Sequence, residues 1–580
     1  MRRKQGPVHV VTTTRRYKGK VYRAHLLRRS YREDGKVKNE TVGNLSHLPE
    51  ELIEIIRRSL KGERFVAVDE AIEIVEGGSR LHGHVEAVMT AMNRLGLAKL
   101  LGSRPSRQRE LVIAMIAARI LKPQSKLATT RWWTNTTLPE MLNLGEVDED
   151  ELYEALDWLV ERQSRIEKRL AARHLDEDGL ALYDLTSSYF EGVTCPLAAF
   201  GHSRDGKKGT LQVNYGLLTN GEGIPVSVTV LKGNVGDPKT LLPQVDKVRQ
   251  SFQIKSFVMV GDRGMLTGKQ VDVVRSKEGV DWIGALRPEA IRKLVKAGAI
   301  QMGLFDERNI FELTHPDFPG ERLVACRNPD LAARRAAKRD SLLKATSAEL
   351  DKVKAMVKRG RLRGGDKIGV RVGKVVNKYK VAKHFVLEIE DDHLSYHIDD
   401  DKVAQEASLD GIYVVRTSLA RQRMDTDQVV RSYKQLNHVE RAFRSLKAMD
   451  LMVRPIHHRL ENRVRAHIFL CTLAYYVLWH MTEAWRPLLF ADEDQQAKEQ
   501  RDPVAPAQRS EAAMRKVRRK RLDDDTMVHS FQTLLDHLST IVRNRCRCKA
   551  AGSDAPTFDL DTPPNPKQRE ALDLIKTIHL

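Results

Sequence analysis

Cysteine is scarce in this chain, and the few cysteines do not form a metal-binding pattern. The 580 residues include five cysteines, and only Cys546 and Cys548 lie close together in the sequence. A structural zinc site needs a second pair at suitable spacing, which the sequence lacks. An odd number of thiols without a pairing pattern indicates reduced side chains in a cytoplasmic protein.

Long hydrophobic runs are also missing. The longest apolar stretch covers 468–479, whereas a membrane-spanning helix takes about 20 residues. Met1-Arg2-Arg3-Lys4 leads into no apolar segment of the kind found in secretory signals. With 41% hydrophobic and 30% charged residues, the chain resembles soluble globular proteins rather than disordered ones. At roughly 100–200 residues per domain, we expect three to five domains and no membrane partner.

Positive charge is abundant and concentrated in two segments. The chain has 98 Lys and Arg against 77 Asp and Glu, a formal net charge of +21. Residues 1–65 hold 17 basic and 7 acidic residues, and residues 331–380 hold 16 and 4. Clustered positive charge favours a polyanionic partner, and nucleic acid is the leading candidate. An anionic membrane surface and a merely solvated face remain as alternatives.

The N-terminal segment has the pattern of a small β-plus-helix module. Residues 9–45 alternate in strand fashion around Asp34-Gly35, a hairpin turn signal. Pro49 then opens a helix through Leu60 with apolar residues at helical spacing. Together with the local charge, this favours a module that binds DNA ends; a structural lid is the alternative.

Further along, the pattern changes from helical to α/β. After a helical stretch, the predicted elements from 180 to 286 are three strands, a helix, a strand, a helix and a strand. This is the element order of the ribonuclease-H-like fold. Residues 288–409 interrupt it with short strands and a charged helix, which we interpret as an insertion because a structureless loop of that length is unusual.

Two aspartates stand at the ends of predicted neighbouring strands. Asp184 lies in an otherwise apolar strand, and Asp262 lies where the apolar run 257–260 stops. A buried, unpaired carboxylate is costly, so each calls for a cation. A lone aspartate at either place could simply cap a turn or lie on an edge, but two on one sheet favour a metal site.

A third acid lies on the helix predicted for 427–449. Tyr433, Glu440 and Lys447 are seven residues apart and therefore share one helix face. Such a face could offer stacking, metal ligation and a phosphate contact. An ordinary solvated face with an ion pair is equally compatible with the spacing.

Five segments in fixed order carry a resemblance to a known family. They are Tyr-Asp-Leu-Thr-Ser-Ser-Tyr-Phe at 183–190, Gly-His-Ser-Arg-Asp-Gly at 201–206, Gly-Asp-Arg-Gly at 261–264, Leu-Asp-Gly-Ile-Tyr-Val-Val-Arg-Thr at 409–417 and the helix at 433–447. With them the chain resembles the DDE transposases of bacterial insertion sequences, in the long, insertion-containing group with a Tyr-Arg-Glu-Lys signature. The resemblance spans roughly half of the chain.

The resemblance implies roles for individual residues. Asp184, Asp262 and Glu440 match the catalytic acids that bind two Mg²⁺ ions, with Mn²⁺ as a substitute. Tyr433 and Lys447 match positions that contact phosphates beside the scissile bond. Leu436 replaces the signature arginine, so that Arg441 or Arg444 is expected to supply the missing charge. Arg263 is a further DNA-binding candidate, or else a structural partner of Asp262.

The implied activity is cleavage of double-stranded DNA at the terminal inverted repeats and transfer of the ends to target DNA, by a homodimer. A nuclease on the same fold that lacks strand transfer and a catalytically inactive DNA-binding relative are the alternatives. The expected domains are a basic N-terminal DNA-binding module at 1–65, a helical domain at 80–175, a ribonuclease-H-like catalytic core at 176–287 and 410–450, a mixed, β-containing insertion domain at 288–409, a C-terminal helical region at 451–549 and a partly mobile tail at 550–580.

Overall fold

Residues from both ends of the chain combine in the first of two structural units. The computed structural model describes residues 6–63, 65, 71–305, 308–494, 501–505, 508–549 and 554–580. Unit 1 comprises the chain up to Arg80 together with Val542–Thr562, and unit 2 comprises Leu81–Ile541 with Pro563–Leu580. The first residues of the predicted N-terminal module and of the predicted tail lie outside the described residues.

The secondary structure alternates between strand-rich and helix-rich stretches. The strands are β1 (Val8–Tyr17), β2 (Lys20–Glu33), β3 (Lys36–Asn44), β4 (Glu73–Leu81), β5 (Leu180–Tyr189), β6 (Gln212–Thr219), β7 (Pro225–Lys232), β8 (Phe257–Gly261), β9 (Val280–Ala285), β10 (Ile310–Leu313), β11 (Arg322–Arg327), β12 (Phe385–Ile389), β13 (Leu394–Ile398), β14 (Ile412–Thr417), β15 (Val542–Arg547) and β16 (Phe558–Asp561). The helices are α1 (Glu50–Ser59), α2 (Gly83–Arg94), α3 (Leu97–Leu101), α4 (Arg107–Leu121), α5 (Lys126–Trp133), α6 (Leu138–Met141), α7 (Glu149–Val160), α8 (Gln163–His174), α9 (Leu241–Asp246), α10 (Gly268–Arg275), α11 (Pro288–Lys296), α12 (Pro329–Lys358), α13 (Gly365–Tyr379), α14 (Asp400–Ala407), α15 (Thr426–Lys434), α16 (Leu436–Arg444), α17 (Glu461–Ala484), α18 (Glu511–Arg519), α19 (Phe531–Ser539) and α20 (Pro566–Lys576).

Unit 1 begins with the antiparallel sheet β1-β2-β3. Both of its hairpins turn through a two-residue loop with positive φ, Lys18-Gly19 (49° and 75°) and Asp34-Gly35 (50° and 74°). Such loops match the right-handed twist of paired strands. The hairpin and the following helix α1 confirm the local sequence prediction.

A second sheet completes unit 1, and the sequence patterns did not indicate it. Its order is β16-β15-β4, so that strands from near the two ends of the chain pair with each other. Residues 554–580 belong to the segment predicted as a partly mobile tail, and the structure gives them regular secondary structure. They form β16 and then α20, whose N-terminus is capped by Asn565, and Ala571 and Ile575 of α20 are buried.

The centre of unit 2 is a mixed eight-stranded sheet, in the order β10-β11-β14-β9-β8-β5-β6-β7. β5, β6 and β7 form an antiparallel meander, while β8 pairs parallel to β5 and β9 parallel to β8. The helical segment at 237–251 and α10 make the two crossovers. The predicted element order from 180 to 286 is thus confirmed, in a mixed α/β architecture.

The predicted insertion at 288–409 is only partly separate from that sheet. β11 pairs with β14 and β10 with β11, so both strands extend the sheet; β11 is largely buried, whereas β10 is mostly half-buried. The stretch from α12 to α14 stands apart around a small core of its own, built by α12, α13 and the β12-β13 hairpin.

Helices cover the central sheet and form most of the remaining core. The longest apolar one, α17, has most of its side chains buried, from Val464 to Met481. Within the described ranges, no helix is long and apolar enough to cross a membrane.

Candidate active site

Three acidic side chains from separate elements line one cavity of unit 2. Asp184 comes from β5, Asp262 from the residue after β8, and Glu440 from α16. The cavity has a volume of about 510 Å³. Its apolar wall includes Leu286 and Ile291.

The register of the central sheet brings the two aspartates together. The parallel pairing of β5 and β8 places Tyr183 opposite Gly261, so Asp184 and Asp262 are the next residues on neighbouring strands. Each carboxylate accepts a hydrogen bond from the backbone N–H of the following residue, at 2.7 Å from Leu185 and 2.7 Å from Arg263. These bonds hold both side chains at the same edge of the sheet.

The helix predicted over 427–449 is divided at Gln435 into α15 and α16, and a π-helical turn follows at Ser445–Met449. Tyr433 and Glu440 both line the cavity, as does Leu436. Lys447, in the π-helical turn, does not line it. The expected single face of Tyr433, Glu440 and Lys447 is therefore interrupted by the change of helical geometry.

Lys447 instead forms a buried ion pair with Asp205. The side chain of Asp205 is 2% exposed, and it accepts hydrogen bonds from Lys447 Nζ at 2.8 Å and Arg454 Nη1 at 2.5 Å. Its second oxygen accepts from the backbone N–H of Tyr189, the last residue of β5, at 2.9 Å. One carboxylate thus links the strand that carries Asp184 to the segment that follows the helix carrying Glu440.

The acids influence each other electrostatically. Burial, the largest cause, raises the pKa of Asp184 to about 7, and the negative charges of Asp262 and Glu440 add to the rise. The hydrogen bond from Leu185 and the positive charge of Arg204 act in the opposite direction. Burial and the charge of Asp262 also raise the pKa of Tyr433 well above its usual value. A carboxyl with a raised pKa beside other acids is stabilised in its charged form by a bound cation.

The donor set fits a hard divalent cation, since carboxylate oxygens are the ligands that Mg²⁺ prefers. However, no three His, Cys, Asp or Glu side chains among the described residues lie close enough together to hold a metal ion. Asp184, Asp262 and Glu440 therefore line one cavity without forming such a cluster.

Three cations line the same cavity: Arg263, Lys434 and Arg335. The first was expected from the sequence. Arg441 and Arg444, expected as substitutes for the signature arginine, are exposed on α16 and do not line the cavity.

Sequence reasoning missed Arg335 and Asp205 for different reasons. Arg335 lies far along the chain from all three acids, within a basic block where nothing marks one arginine above another. Asp205 belongs to the Gly-His-Ser-Arg-Asp-Gly segment on which the resemblance partly rests. The presence of an acid in a segment shared with the family could have marked Asp205 as important. Its partners Lys447 and Arg454, 242 and 249 residues away, could not be predicted from the sequence.

Comparisons with protein families give two matches. Residues 10–70 match the model of the IS1634 family transposase, N-terminal domain, and residues 192–477 match the model of the transposase DDE domain. The second range contains Asp262, Tyr433 and Glu440 and begins after Asp184.

No curated protein matches the chain. Among solved structures, a piggyBac transposase synaptic complex with hairpin DNA, determined by cryo-EM, is similar with a TM-score of 0.35 and 9% identity, over 86% of this chain and 83% of that one. A likeness this distant says nothing about the residues of the cavity.

Proposed function

Because the chain belongs to the DDE transposases of insertion sequences, we propose that it cuts the ends of its element and joins them to target DNA at the cavity of Asp184, Asp262 and Glu440. The observation that carries the proposal is the convergence of these three acids, from β5, β8 and α16, on one cavity. The meander β5-β6-β7 followed by two parallel strands supports a ribonuclease-H-like catalytic core.

DDE transposase domains generally use divalent metal ions. We infer that Asp184, Asp262 and Glu440 hold two Mg²⁺ ions here, for which Mn²⁺ substitutes. When bound, such ions lower the pKa of an attacking hydroxyl and stabilise charge on the leaving oxygen. The raised pKa of Asp184, caused mainly by burial, supports this assignment, because a bound cation would stabilise the charged form of the carboxylate.

The side chains of the cavity have separate tasks in this proposal. Arg263 and Lys434 attract the phosphates of the strand to be cut, since they line the cavity beside the acids. Leu286, Ile291 and Leu436 keep part of its wall dry. Water, or later a 3′-hydroxyl of the element, attacks phosphorus directly, so no protein nucleophile is required.

The partner is double-stranded DNA, at the element ends and at the target. We assign end binding to the basic N-terminal unit, whose sequence matches the family's N-terminal domain. A homodimer follows from the chemistry of the task, because two ends have to be held together before they are joined.

The proposal is tested with duplex oligonucleotides that carry the inverted repeats flanking the gene, incubated with Mg²⁺ and a target plasmid. We expect cleaved and joined products from the wild-type chain, none after chelation of the metal, and none from Asp184→Asn, Asp262→Asn or Glu440→Gln. Asp272→Asn, an exposed acid on α10 outside the cavity, is the matched control and should retain activity.

The outcomes separate the alternatives. Cleavage without joining would identify a nuclease, and DNA binding without cleavage would identify an inactive relative. Undiminished activity of Asp262→Asn would remove the three-acid assignment.

A further inference from the structure

The inserted segment delivers an arginine to the catalytic cavity. Arg335, in the second turn of α12, lines the same cavity as Asp184 and Glu440. Its side chain is exposed, and among the described residues no hydrogen bond or ion pair engages it. A guanidinium group on the wall of an acidic cavity, without a partner in the protein, is available to a ligand.

The start of α12 is fixed firmly enough to hold this arginine in place. Asn328 caps the helix by accepting a hydrogen bond from the backbone N–H of Leu331 at 2.9 Å, and its own N–H donates to the carbonyl of Gly411 at 2.9 Å. One turn after Arg335, Arg339 forms a nearly buried ion pair with Asp410 at 2.7 Å. These contacts tie α12 to the residues just before β14.

Gly411 permits the close approach of the two segments. Its φ of 77° lies in the left-handed region, and a Cβ atom there would come within 2.4 Å of the carbonyl oxygen of Asn328. The turn therefore needs glycine, and the short distance brings the first turns of α12 to the cavity rim, where Leu409 and Ile412 also lie.

The ligand that suits Arg335 is a phosphodiester. Guanidinium groups bind phosphate oxygens in a bidentate fork, and they remain charged at every relevant pH. The three acids would repel a DNA strand, and Leu436 offers no charge on its side of the cavity. Resting on the proposed function, we propose that Arg335 binds a phosphate of the DNA strand that enters the catalytic cavity, so that the inserted segment completes the substrate site.

Single-turnover cleavage of the labelled inverted-repeat duplex tests the proposal. Arg335→Ala should slow cleavage about 10- to 100-fold, the effect of losing a charge-assisted hydrogen bond, and Arg335→Lys should recover part of the rate. Arg334→Ala is the matched control: it removes the same charge from the same exposed helix but not from the cavity wall, and it should cleave like the wild type.

A second readout uses duplexes with one neutral methylphosphonate, placed in turn at each phosphate near the cut. At the contacted phosphate, the neutral group should slow the wild-type enzyme and abolish the difference between wild type and Arg335→Ala. If the rate reductions caused by the methylphosphonate and by Arg335→Ala multiply at every position, Arg335 does not bind phosphate and the proposal is overturned.

Failure of this inference is distinguishable from failure of the proposed function. A wild-type chain that cleaves, with Arg335→Ala equal to Arg334→Ala, overturns the role of Arg335 alone. A wild-type chain that leaves the repeat intact overturns both.

Discussion

Among single residues, Asp205 joins β5 to the segment that follows α16. It neutralises Lys447 and Arg454 with a side chain that is 2% exposed. Burial lowers the pKa of Lys447, and the hydrogen bond that the ammonium donates to Asp205 opposes that shift. The pair therefore keeps a lysine charged where the protein interior would otherwise favour its neutral form.

Replacing Asp205 with Ala should cost about 3–5 kcal/mol in the free energy of unfolding, because it removes the carboxylate that pairs with the buried Lys447 and the partly buried Arg454. Lys447→Met should cost less, since Arg454 still neutralises Asp205. Denaturant unfolding monitored by fluorescence measures both effects.

The same variants decide between two roles for Lys447. If Lys447→Met unfolds like the wild type but loses affinity for the inverted-repeat duplex, the lysine contacts DNA, as the family resemblance implies. If it loses stability and keeps its affinity, the lysine positions α16 against β5. Lys208→Met, an exposed lysine near Asp205 in the chain, serves as control.

Site residues could be predicted from the sequence when their signal was local, and not when their position depends on contacts between segments far apart in the chain. Asp184 and Asp262 were recognisable from a local signal, because Asp184 interrupts an apolar strand and Asp262 follows directly after an apolar run. Glu440 needed the family resemblance, since its helix spacing alone also fitted a solvated face. Arg335 reaches the cavity only through the fold of α12 against the segment before β14, and no local pattern encodes that approach.

At the scale of elements, α8 and α17 meet through the half-buried His174 and the buried His480. His174 Nε2 lies 3.1 Å from the hydroxyl of Tyr476, and the rings of His174 and His480 are 5.9 Å apart. Burial lowers the pKa of His174 to about 4 and that of His480 to about 3. Both side chains are therefore neutral in the folded protein at physiological pH.

Because of His174 and His480, the free energy of unfolding depends on pH. Because the folded pKa values lie below the ordinary value of about 6.5, the unfolded chain binds more protons as the pH falls below 6.5. The stabilisation is complete above that pH and is lost progressively towards pH 4. We expect each histidine to contribute a loss of about 1–2 kcal/mol between pH 6.5 and 5.

Thermal unfolding at pH 7.5 and pH 5 measures the loss. His480→Gln, which does not titrate, should reduce the difference between the two pH values, whereas the exposed His457→Gln should leave it unchanged. An equal pH dependence in both variants would show that other groups are responsible.

Elements were predictable where their patterns were local. The Asp34-Gly35 hairpin and the order β5 to β9 followed from turn residues and apolar runs. The addition of β10 and β11 to the sheet next to β14 could not be predicted, because a short apolar strand fits a small separate sheet in the insertion as well as the edge of a large sheet. Only the tertiary fold decides between them.

For the whole molecule, the clustered charge predicts how DNA binding responds to salt. Residues 1–65 contain 17 basic and 7 acidic residues, and each neutralised phosphate adds about 0.9 to the negative slope of log K against log salt. Deleting 1–65 leaves β4 in place and should flatten that slope by several units while weakening affinity at low salt. Fluorescence anisotropy with a labelled duplex across a salt series measures it.

A double substitution distinguishes the effect of lost positive charge from the effect of deleting residues 1–65. Arg16 and Arg23 are exposed, and the pairing of β1 with β2 puts them on one face of the sheet. Arg16→Ala with Arg23→Ala should reduce the slope by about 1–2 units. A slope unchanged by either the deletion or the double substitution would place the DNA contacts elsewhere.

The pairing of β4 with β15 has a consequence for the synthesis of the protein. Arg547 of β15 forms an ion pair with Glu73 of β4, 474 positions earlier. On the ribosome, β4 therefore emerges long before β15, and its backbone hydrogen-bonding groups on that side stay unpaired until β15 has been translated. A transcript cut short before Val542 encodes all three cavity acids but cannot finish the first unit. Unit 1 therefore folds completely only after β15 and β16 have been translated. A chain that ends before them can form unit 2 residues up to Ile541 but lacks two strands of the second sheet of unit 1.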